Sequence, residues 1–209
     1  MSSAPQTSRV RLSNAARRAQ LVRLGVELLR TRPLEQLSLE DVATAAGISR
    51  ALPFHYFPTR RDFLVAVVTA SSQGLLEATD TDPSLDPIER VRLGLTGYID
   101  YIEANPDAYI ALVRGAAGAD EGLRAVVEAT REAIVERILA GLGMGSDRAM
   151  TRLALRGWLG MVEETTVSWL RDGSIDRSEL VWLLNEALVH IVGATATRFP
   201  TTSGTAPQP

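Results

Sequence analysis

Apolar residues recur at helical spacing along most of the chain, in segments separated by short runs of glycine, proline and polar residues. These segments cover about residues 14–31, 39–46, 60–79, 87–104, 107–114, 121–140, 147–170 and 178–197, and one further short helix begins near residue 52. No segment shows the convincing alternation of a strand, and no stretch repeats. The pattern therefore predicts an all-α fold with nine helices.

The segment 38–62 predicts two short helices joined by a tight turn and the start of a third. Ser38 and Asp41 have the spacing of a capping box, in which hydroxyl and carboxylate accept backbone N–H groups at a helix start. Gly47 stands where this helix must end, because glycine adopts the left-handed conformation without a Cβ penalty. Ser49 can cap the next helix. This arrangement predicts a helix-turn-helix, whose second helix enters the DNA major groove.

Three motifs in this segment resemble the DNA-binding domain of the TetR (tetracycline-repressor) family. They are Ser38-Leu-Glu-Asp-Val-Ala, Ala46-Gly-Ile-Ser-Arg and Phe54-His-Tyr-Phe-Pro-Thr-Arg. The resemblance covers roughly the first third of the chain. It implies a nine-helix TetR-like fold with an N-terminal three-helix DNA-binding domain and a C-terminal helical domain for ligand binding and dimerisation.

The residues expected at the DNA interface lie at the ends of the second and third predicted helices and before the fourth. They are Ser38, Ser49, Arg50, Ala51, Leu52, Phe54, His55, Tyr56 and Arg60. Arg50 would contact a base edge or a phosphate, or else be a solvated arginine at a helix start. His55 and Tyr56 would meet phosphates or the groove wall, or pack between the helices. By resemblance, Arg60 holds a phosphate.

Leu52 and Pro53 depart from the family pattern, which has a small hydroxyl residue and an apolar residue other than proline at these positions. Proline lacks an N–H and clashes with the carbonyl four residues earlier, but it is tolerated in the first turn of a helix. We therefore expect the recognition helix to begin late, near Leu52, or with an irregular first turn. Leu52 itself offers only apolar contact, for instance to a thymine methyl group.

The last two predicted helices are apolar nearly all round, which predicts that they are buried nearly all round. One side of each would pack on its own domain and the other on a second copy of the chain, as in the four-helix dimer interface of the family. The predicted interface residues are Trp158, Val162, Trp169, Val181, Leu184, Leu188 and Ile191. His190 would be a hydrogen-bonded interface residue. Glu163 and Glu164 would be solvated, bind a cation or a polar ligand group, or pair with an arginine across the dimer.

Aromatic residues and one methionine lie on the fifth, sixth and eighth predicted helices, where TetR-like proteins carry their inducer pocket. They are Tyr98, Tyr101, Tyr109, Trp158 and Met161. An apolar pocket with few polar groups would suit a small, hydrophobic effector. Core packing explains each of these residues equally well.

Charge is distributed unevenly along the chain, whose formal net charge is −3. Residues 1–62 hold ten arginines and five acidic residues, whereas residues 63–209 hold twelve arginines and twenty acidic residues. A basic head on an acidic body fits a DNA-binding domain attached to a domain that does not touch DNA. The absence of lysine reflects either codon usage or the suitability of the guanidinium group for guanine edges and phosphates.

The sequence predicts four regions: a disordered arm (1–12), the helix-turn-helix domain (13–61), a ligand-binding and dimerisation domain (62–199) and a disordered tail (200–209). The first residues lack the apolar core of a signal peptide, and no apolar run of about 18 residues could span a membrane. We therefore expect a cytoplasmic protein without a membrane partner. With no cysteine and two histidines, we expect neither a metal site nor a cofactor.

These observations predict a DNA-binding transcription regulator, and more finely a repressor that binds a palindromic operator in double-stranded DNA as a homodimer and is released by a small molecule. A second hypothesis is a ligand-binding dimer whose DNA recognition has degenerated, which Leu52 and Pro53 suggest. An enzyme is disfavoured because the chain has no cysteine, no lysine and no spaced carboxylate motif.

Overall fold

A computed structural model describes residues 12–110, 113–114, 120–143 and 149–198, and for 196–198 it describes the backbone alone. Within these residues the protein contains nine α-helices and no strand, as predicted. The helices are α1 (Asn14–Leu29), α2 (Leu39–Ala46), α3 (Leu52–Tyr56), α4 (Arg60–Ala78), α5 (Pro87–Ala104), α6 (Pro106–Ile110), α7 (Glu121–Gly141), α8 (Ala149–Asp172) and α9 (Arg177–Arg198). A 3-10 turn at Leu34–Gln36, which was not predicted, joins α1 to α2.

Several predicted features fall outside the described residues. These are the N-terminal arm except for Leu12, the sixth predicted helix at 111–112, the beginning of the eighth at 147–148 and the tail at 200–209. Elsewhere the predicted ends of the helices agree with the structure to within about two residues, which is the usual uncertainty of helix ends.

The capping box predicted at the start of α2 forms, and α4 and α5 also begin with capping side chains. Ser38 and Asp41 make both halves of a capping box at α2, and Thr59 and Asp62 make another at α4. Asp86 accepts the Ile88 N–H at 2.9 Å and so caps α5. Each cap satisfies backbone donors that a helix start leaves without an intrahelical partner.

Two hydrophobic cores share helix α4. The first lies between α1, α2, α4 and the start of α7, and it contains the fully buried Phe57 and Phe63. The second lies between α5, α7, α8 and α9, and it contains the fully buried Leu155 and Leu184. The N-terminal half of α4 belongs to the first core, whereas Leu75 near its other end belongs to the second. The domain boundary predicted at residue 61 therefore falls in the first turn of a helix that both cores share.

Glycines allow α4 to pack closely in both cores. A Cβ atom on Gly25 of α1 would lie 2.5 Å from Val67 Cγ2, and one on Gly97 of α5 would lie 2.0 Å from the carbonyl oxygen of Ala78. Both distances are far below van der Waals contact, so any larger residue would push the helices apart. Helix α4 thus packs closely against α1 in the N-terminal head, formed by α1–α3, and against α5 in the C-terminal body, formed by α5–α9.

Candidate DNA interface, ligand cavity and dimer face

The turn between α2 and α3 has the geometry that its glycine predicts. Gly47 has a φ of +62° and ends α2 in the left-handed conformation. Helix α3 then begins at Leu52, which confirms the late start predicted from Pro53. The prediction that Ser49 caps α3 is wrong. The Leu52 N–H bonds to the Ser49 carbonyl at 3.1 Å in a turn, and Ala51, which has no capping side chain, precedes the helix.

Pro53 fits because it occupies the first turn of α3, where an intrahelical N–H bond is not required. Its side chain is buried, and its carbonyl accepts the N–H of Phe57 at 3.0 Å. The Phe57 ring is fully buried, and its centroid lies 5.2 Å from that of the Phe63 ring. The Arg18 guanidinium lies over the Phe57 ring, 4.9 Å from its centroid. These contacts anchor the short recognition helix to α1 and α4.

The outer surface of α3 and the preceding turn exposes five of the predicted DNA-binding residues. They are Ser49, Arg50, Ala51, Phe54 and His55, while Leu52 and Tyr56 are half-buried. The rings of His55 and Tyr56 meet edge to face, with centroids 5.4 Å apart. Arg50 forms no hydrogen bond or ion pair with any residue that the structure describes, so its guanidinium is available to a phosphate or a base edge.

Ser38 is half-buried at the start of α2, and its hydroxyl is engaged in the capping box. It donates to the Asp41 carboxylate at 2.6 Å and accepts the Asp41 N–H at 3.2 Å. Arg32 donates to the other carboxylate oxygen of Asp41 at 2.8 Å. These bonds, the Ser38 hydroxyl first among them, lower the pKa of Asp41 because they stabilise its ionised form.

Arg60 has a structural use that its sequence position did not reveal. Its guanidinium donates to the carbonyls of Leu37 at 2.8 Å, Leu34 at 3.2 Å and Glu35 at 2.7 Å. The side chain thereby holds the connection between α1 and α2 against the first turn of α4. A phosphate contact by Arg60 stays a prediction, and it would have to share a guanidinium that already bonds three carbonyls.

The next residue of α4 ties the DNA-reading head to the body. Arg61 donates to the two carboxylate oxygens of Asp120, at 2.7 Å and 3.2 Å. Asp120 in turn caps α7 by accepting the N–H groups of Gly122 and Leu123. The ion pair lowers the pKa of Asp120. Nothing in the sequence pairs these residues, because 59 positions separate them.

An apolar cavity of about 80 Å³ lies in the body between the end of α4 and helices α5, α7 and α8. Tyr98 and Trp158, both predicted pocket residues, line it together with aliphatic side chains. The Trp158 indole N–H is already bonded to the Leu184 carbonyl at 2.9 Å. The cavity therefore presents mainly hydrocarbon surface, which suits an apolar ligand group.

The remaining predicted pocket residues have other positions. Tyr109 lines a second, smaller cavity of about 20 Å³, where its hydroxyl is bonded to that of Tyr98. Burial raises the pKa of both phenols. Tyr101 and Met161 line neither of these cavities: Tyr101 donates to the Ser71 carbonyl at 2.7 Å, and Met161 is on the outer surface of α8. Their assignment to the pocket is not supported by this arrangement.

Arginine–glutamate pairs join α7 to α8 alongside the cavities. Arg131 of α7 donates to both carboxylate oxygens of Glu163, at 2.8 Å and 2.7 Å. Arg114 pairs with Glu164 at 2.7 Å. Both acidic residues of the predicted pair are therefore matched by arginines of their own chain. A partner across the dimer is not needed to explain them.

Four of the predicted dimer-interface residues point into their own protomer, and their assignment to the interface is wrong. Trp158, Val162, Leu184 and Leu188 are at most 4% exposed and belong to the second core. The other three, Trp169, Val181 and Ile191, are half-buried and pack against the same core. The error has a physical reason: a helix that is apolar all round does not show by its periodicity which face meets its own domain.

The opposite face of α8 and α9 exposes a different set of apolar residues. On α8, Leu153 is 69% exposed and Met161 is 36% exposed, and between them a Cβ atom on Gly157 or Gly160 would meet nothing within 4 Å. On α9, the large exposed apolar residues are Trp182, Leu183 and Val189. We call these residues the outer face. His190 lies beside it with its side chain 79% exposed and its Nδ1 2.8 Å from the Glu186 carbonyl oxygen.

The residues that the structure describes contain neither a membrane span nor a metal-binding cluster. None of the described helices is long and apolar enough to cross a membrane. The same residues contain no cluster of three or more histidine, aspartate or glutamate side chains that could hold a metal ion.

A helix-turn-helix head joined to a helical body with an apolar cavity defines a class of one-component transcription regulators. Residues 21–67 match the family described as bacterial regulatory proteins, tetR family, and residues 87–191 match the tetracyclin repressor-like C-terminal domain. The chain belongs to the TetR family of transcription regulators, with a DNA-binding N-terminal domain and a ligand-binding C-terminal domain. It is a regulator and not an enzyme.

Individual relatives agree with this assignment. A tetR-family transcriptional regulator from Streptomyces coelicolor superposes with a TM-score of 0.81 at 27% identity, over 90% of this chain and 85% of that one. The HTH-type transcriptional activator FasR of Mycolicibacterium smegmatis is 24% identical over 180 residues, which cover 82% of this chain and 80% of FasR. The multidrug binding protein EbrR, solved with ethidium, shares the fold with a TM-score of 0.62 at 18% identity, over 84% of this chain and 98% of EbrR.

Proposed function

We propose that this protein is a homodimeric repressor that binds a palindromic operator and leaves it when a small apolar ligand enters the 80 Å³ cavity. The observation that carries the proposal is the position of α4. Its first residue, Arg60, holds the α1–α2 connection of the DNA-reading head. Thr79, the residue after its last turn, lines the cavity. A ligand that shifts one end of this helix therefore acts directly on the head at the other.

The DNA contacts in this proposal come from the exposed surface of α3 and the turn before it. Arg50 reads a base edge or a phosphate, and Phe54 and His55 meet the groove beside it. The half-buried Leu52 and Tyr56 support this surface from below. In a two-fold dimer the two recognition helices would sit about 34 Å apart, one helical turn of DNA, or a multiple of it. Such spacing requires an operator with two inverted half-sites.

The outer face of α8 and α9 supplies the dimer contact. Leu153 and Met161 of α8 and Trp182, Leu183 and Val189 of α9 are exposed apolar side chains on two helices that pack side by side. Exposed apolar patches of this kind are typical of protein–protein contacts. Gly157 and Gly160 have no side chains and would allow a partner helix to approach closely.

Ligand release follows from differential binding to two arrangements of the heads. A ligand that binds more tightly to the arrangement unsuited to DNA lowers operator affinity by the same factor, and a coupling of about 1–3 kcal/mol is typical. EbrR, solved with ethidium, supports a small-molecule site in this kind of body.

The test is a fluorescence-anisotropy titration at several salt concentrations. The probes are the DNA upstream of the protein's own gene and a scrambled duplex of equal length. We expect a preference of about 10³ or more for the natural DNA, which is typical of specific binders. Equal and steeply salt-dependent binding to both duplexes would contradict operator recognition at this DNA. Binding to neither would favour the alternative, a ligand-binding dimer with degenerate DNA recognition.

A further inference from the structure

The cavity in the body is hydrocarbon-lined inside but cationic at its edge. Arg90 of α5 and Arg137 of α7 are its charged lining residues, and none of the lining residues is acidic. Both arginines are half-buried, so each guanidinium has lost part of its hydration. A partly desolvated charge without a partner is unfavourable, and an anion that supplies one is bound correspondingly well.

Arg90 is the less satisfied of the two. Its Nε donates to the Thr81 hydroxyl over a long 3.4 Å, and it makes no ion pair with any carboxylate in the described part of the chain. Asp82, in the same loop as Thr81, accepts bonds from the N–H and hydroxyl of Ser84, at 2.8 Å and 2.7 Å. These bonds are the main cause of its lowered pKa, and the charge of Arg90 contributes least to it. The Arg90 guanidinium reaches across to α7, where a Cβ on Gly141 would lie 3.1 Å from its Nη1. The guanidinium therefore spans the edge of the cavity, and its Nη donors remain available to a ligand.

Arg137 links the same edge to α4. Its Nη1 donates to the Leu76 carbonyl at 2.7 Å and to the Thr79 hydroxyl at 3.0 Å. Its ion pair with the exposed Asp80 is long, at 3.8 Å. Leu76 belongs to the last turn of α4, whose carbonyls lack intrahelical partners. An anion at the edge of the cavity would thus compete for a guanidinium that holds the end of α4.

We infer that the effector is a small apolar anion, in the simplest case a carboxylate, whose hydrocarbon part fills the cavity and whose head pairs with Arg90. Arg137 adds a second positive charge beside that head. The inference rests on the proposed ligand role of the cavity. Its volume of 80 Å³ is about half that of an engineered apolar cavity of roughly 150 Å³ that binds benzene, so a short alkyl chain fits better than a ring system.

A set of ligands that differ only in their head groups tests the inference. Hexanoate, 1-hexanol and hexylammonium would be titrated into the full-length protein by calorimetry, with butanoate and octanoate added to vary the chain length. We expect hexanoate to bind about tenfold or more tightly than 1-hexanol. The amine should bind less tightly than the alcohol. The preference for the carboxylate should shrink as salt is raised.

Arg90→Gln is the decisive variant, and Arg92→Gln is its matched control. Both remove one positive charge from α5, but Arg92 is exposed, pairs with Glu89 at 2.5 Å and does not line the cavity. We expect Arg90→Gln to weaken carboxylate binding about tenfold and to leave alcohol binding unchanged, whereas Arg92→Gln should change neither. The same alcohol affinity in all three proteins would show that the cavity has kept its shape.

Three results would overturn the inference: equal binding of carboxylate and alcohol, survival of the carboxylate preference in Arg90→Gln, or no binding of any carboxylate at millimolar concentration. Operator binding of the same samples separates this inference from the proposed function. Carboxylate binding without operator release would leave the ligand class standing and contradict ligand-released repression. Operator binding with no response to any carboxylate would contradict only the ligand class.

Discussion

Arg50 and Arg60 stand on either side of the recognition helix, and both were expected to meet DNA. The structure gives them different surroundings: Arg60 donates to three backbone carbonyls, whereas Arg50 has no hydrogen bond or ion pair among the described residues. The sequence could not distinguish them, because the carbonyls that Arg60 holds lie 23 to 26 residues earlier in the chain. Contacts of this range come from the tertiary fold and leave no local pattern.

Substitution of Arg50 by alanine should therefore affect mainly DNA binding, whereas substitution of Arg60 should affect mainly the free energy of unfolding. Arg50→Ala should leave the free energy of unfolding within about 0.5 kcal/mol and weaken operator binding, reducing the salt slope by about one if Arg50 holds a phosphate. Arg60→Ala should lower the free energy of unfolding by about 1–3 kcal/mol, since three carbonyls lose a charged donor. Urea unfolding and salt-titrated anisotropy measure the two effects. If Arg60→Ala were as stable as the wild type and reduced the salt slope, Arg60 would contact a phosphate and would not stabilise the fold.

The capping box at α2 predicts a pH dependence. Because the pKa of Asp41 is lowered in the folded protein, its ionised form contributes stability above the unfolded pKa, and this is lost as the pH falls through the folded value. Asp41→Asn should cost about 1 kcal/mol at neutral pH, the usual contribution of a helix cap. The difference between the two proteins, measured by urea unfolding from pH 7 downward, should shrink below about pH 4. A constant difference would mean that ionisation of Asp41 does not matter.

At the scale of the helices, the sequence predicts where most helices begin and end, but it does not predict which face of α8 or α9 is buried. The capping box at α2, Gly47 and the late start of α3 at Leu52 follow from rules that act within a few residues, and all three were predicted, although Ser49 does not cap α3. The buried face of α8 and of α9 is the side that packs on the rest of the body, and the sequence does not identify it because both sides of these helices are apolar. Trp158 and Leu184 consequently turned out to be core residues, and Trp182 lies outside.

The close approach of α4 and α5 can be tested at one glycine. Gly97→Ala would place a methyl group 2.0 Å from the Ala78 carbonyl oxygen, so the helices must separate, and we expect the free energy of unfolding to fall by about 1–3 kcal/mol. Gly94→Ala is the control one turn earlier on α5. Its Cβ would lie 3.4 Å from the Thr79 carbonyl oxygen, an ordinary contact, and alanine favours the helix. Equal effects of the two substitutions would refute tight packing at Gly97.

At the scale of the whole molecule, the proposed dimer depends on the outer face. Leu153→Asp or Trp182→Asp should leave the protomer folded, because the side chains are 69% and 64% exposed, and should shift the dimer toward monomers in sedimentation analysis. Ile88→Asp, at an exposed apolar residue of α5, is the control and should leave the dimer intact. Operator affinity should fall with dimer content, since a monomer can occupy only one half-site. Unchanged sedimentation of both variants would place the dimer contact elsewhere.

The residues that line the cavity could be predicted from the sequence only in part. Tyr98 and Trp158 could be assigned to a pocket because the family resemblance indicated the helices, but core packing accounted for them equally well. The cationic edge could not be predicted. Arg90 and Arg137 are 47 positions apart in the sequence, and only the packing of α5 against α7 brings them to one opening.

The membership of α4 in both cores also bears on how the protein unfolds. The head cannot lose its structure without exposing Phe63 and Val67 of a helix whose other end is embedded in the body, and a helix is costly to maintain in isolated turns. Head and body should therefore melt in one cooperative transition. Since a bound effector raises the free energy of unfolding of the whole unit, occupancy of the cavity should protect amide protons in α1 and α2 from exchange. The effector would thus stabilise the DNA-reading head in the same event that draws it away from DNA.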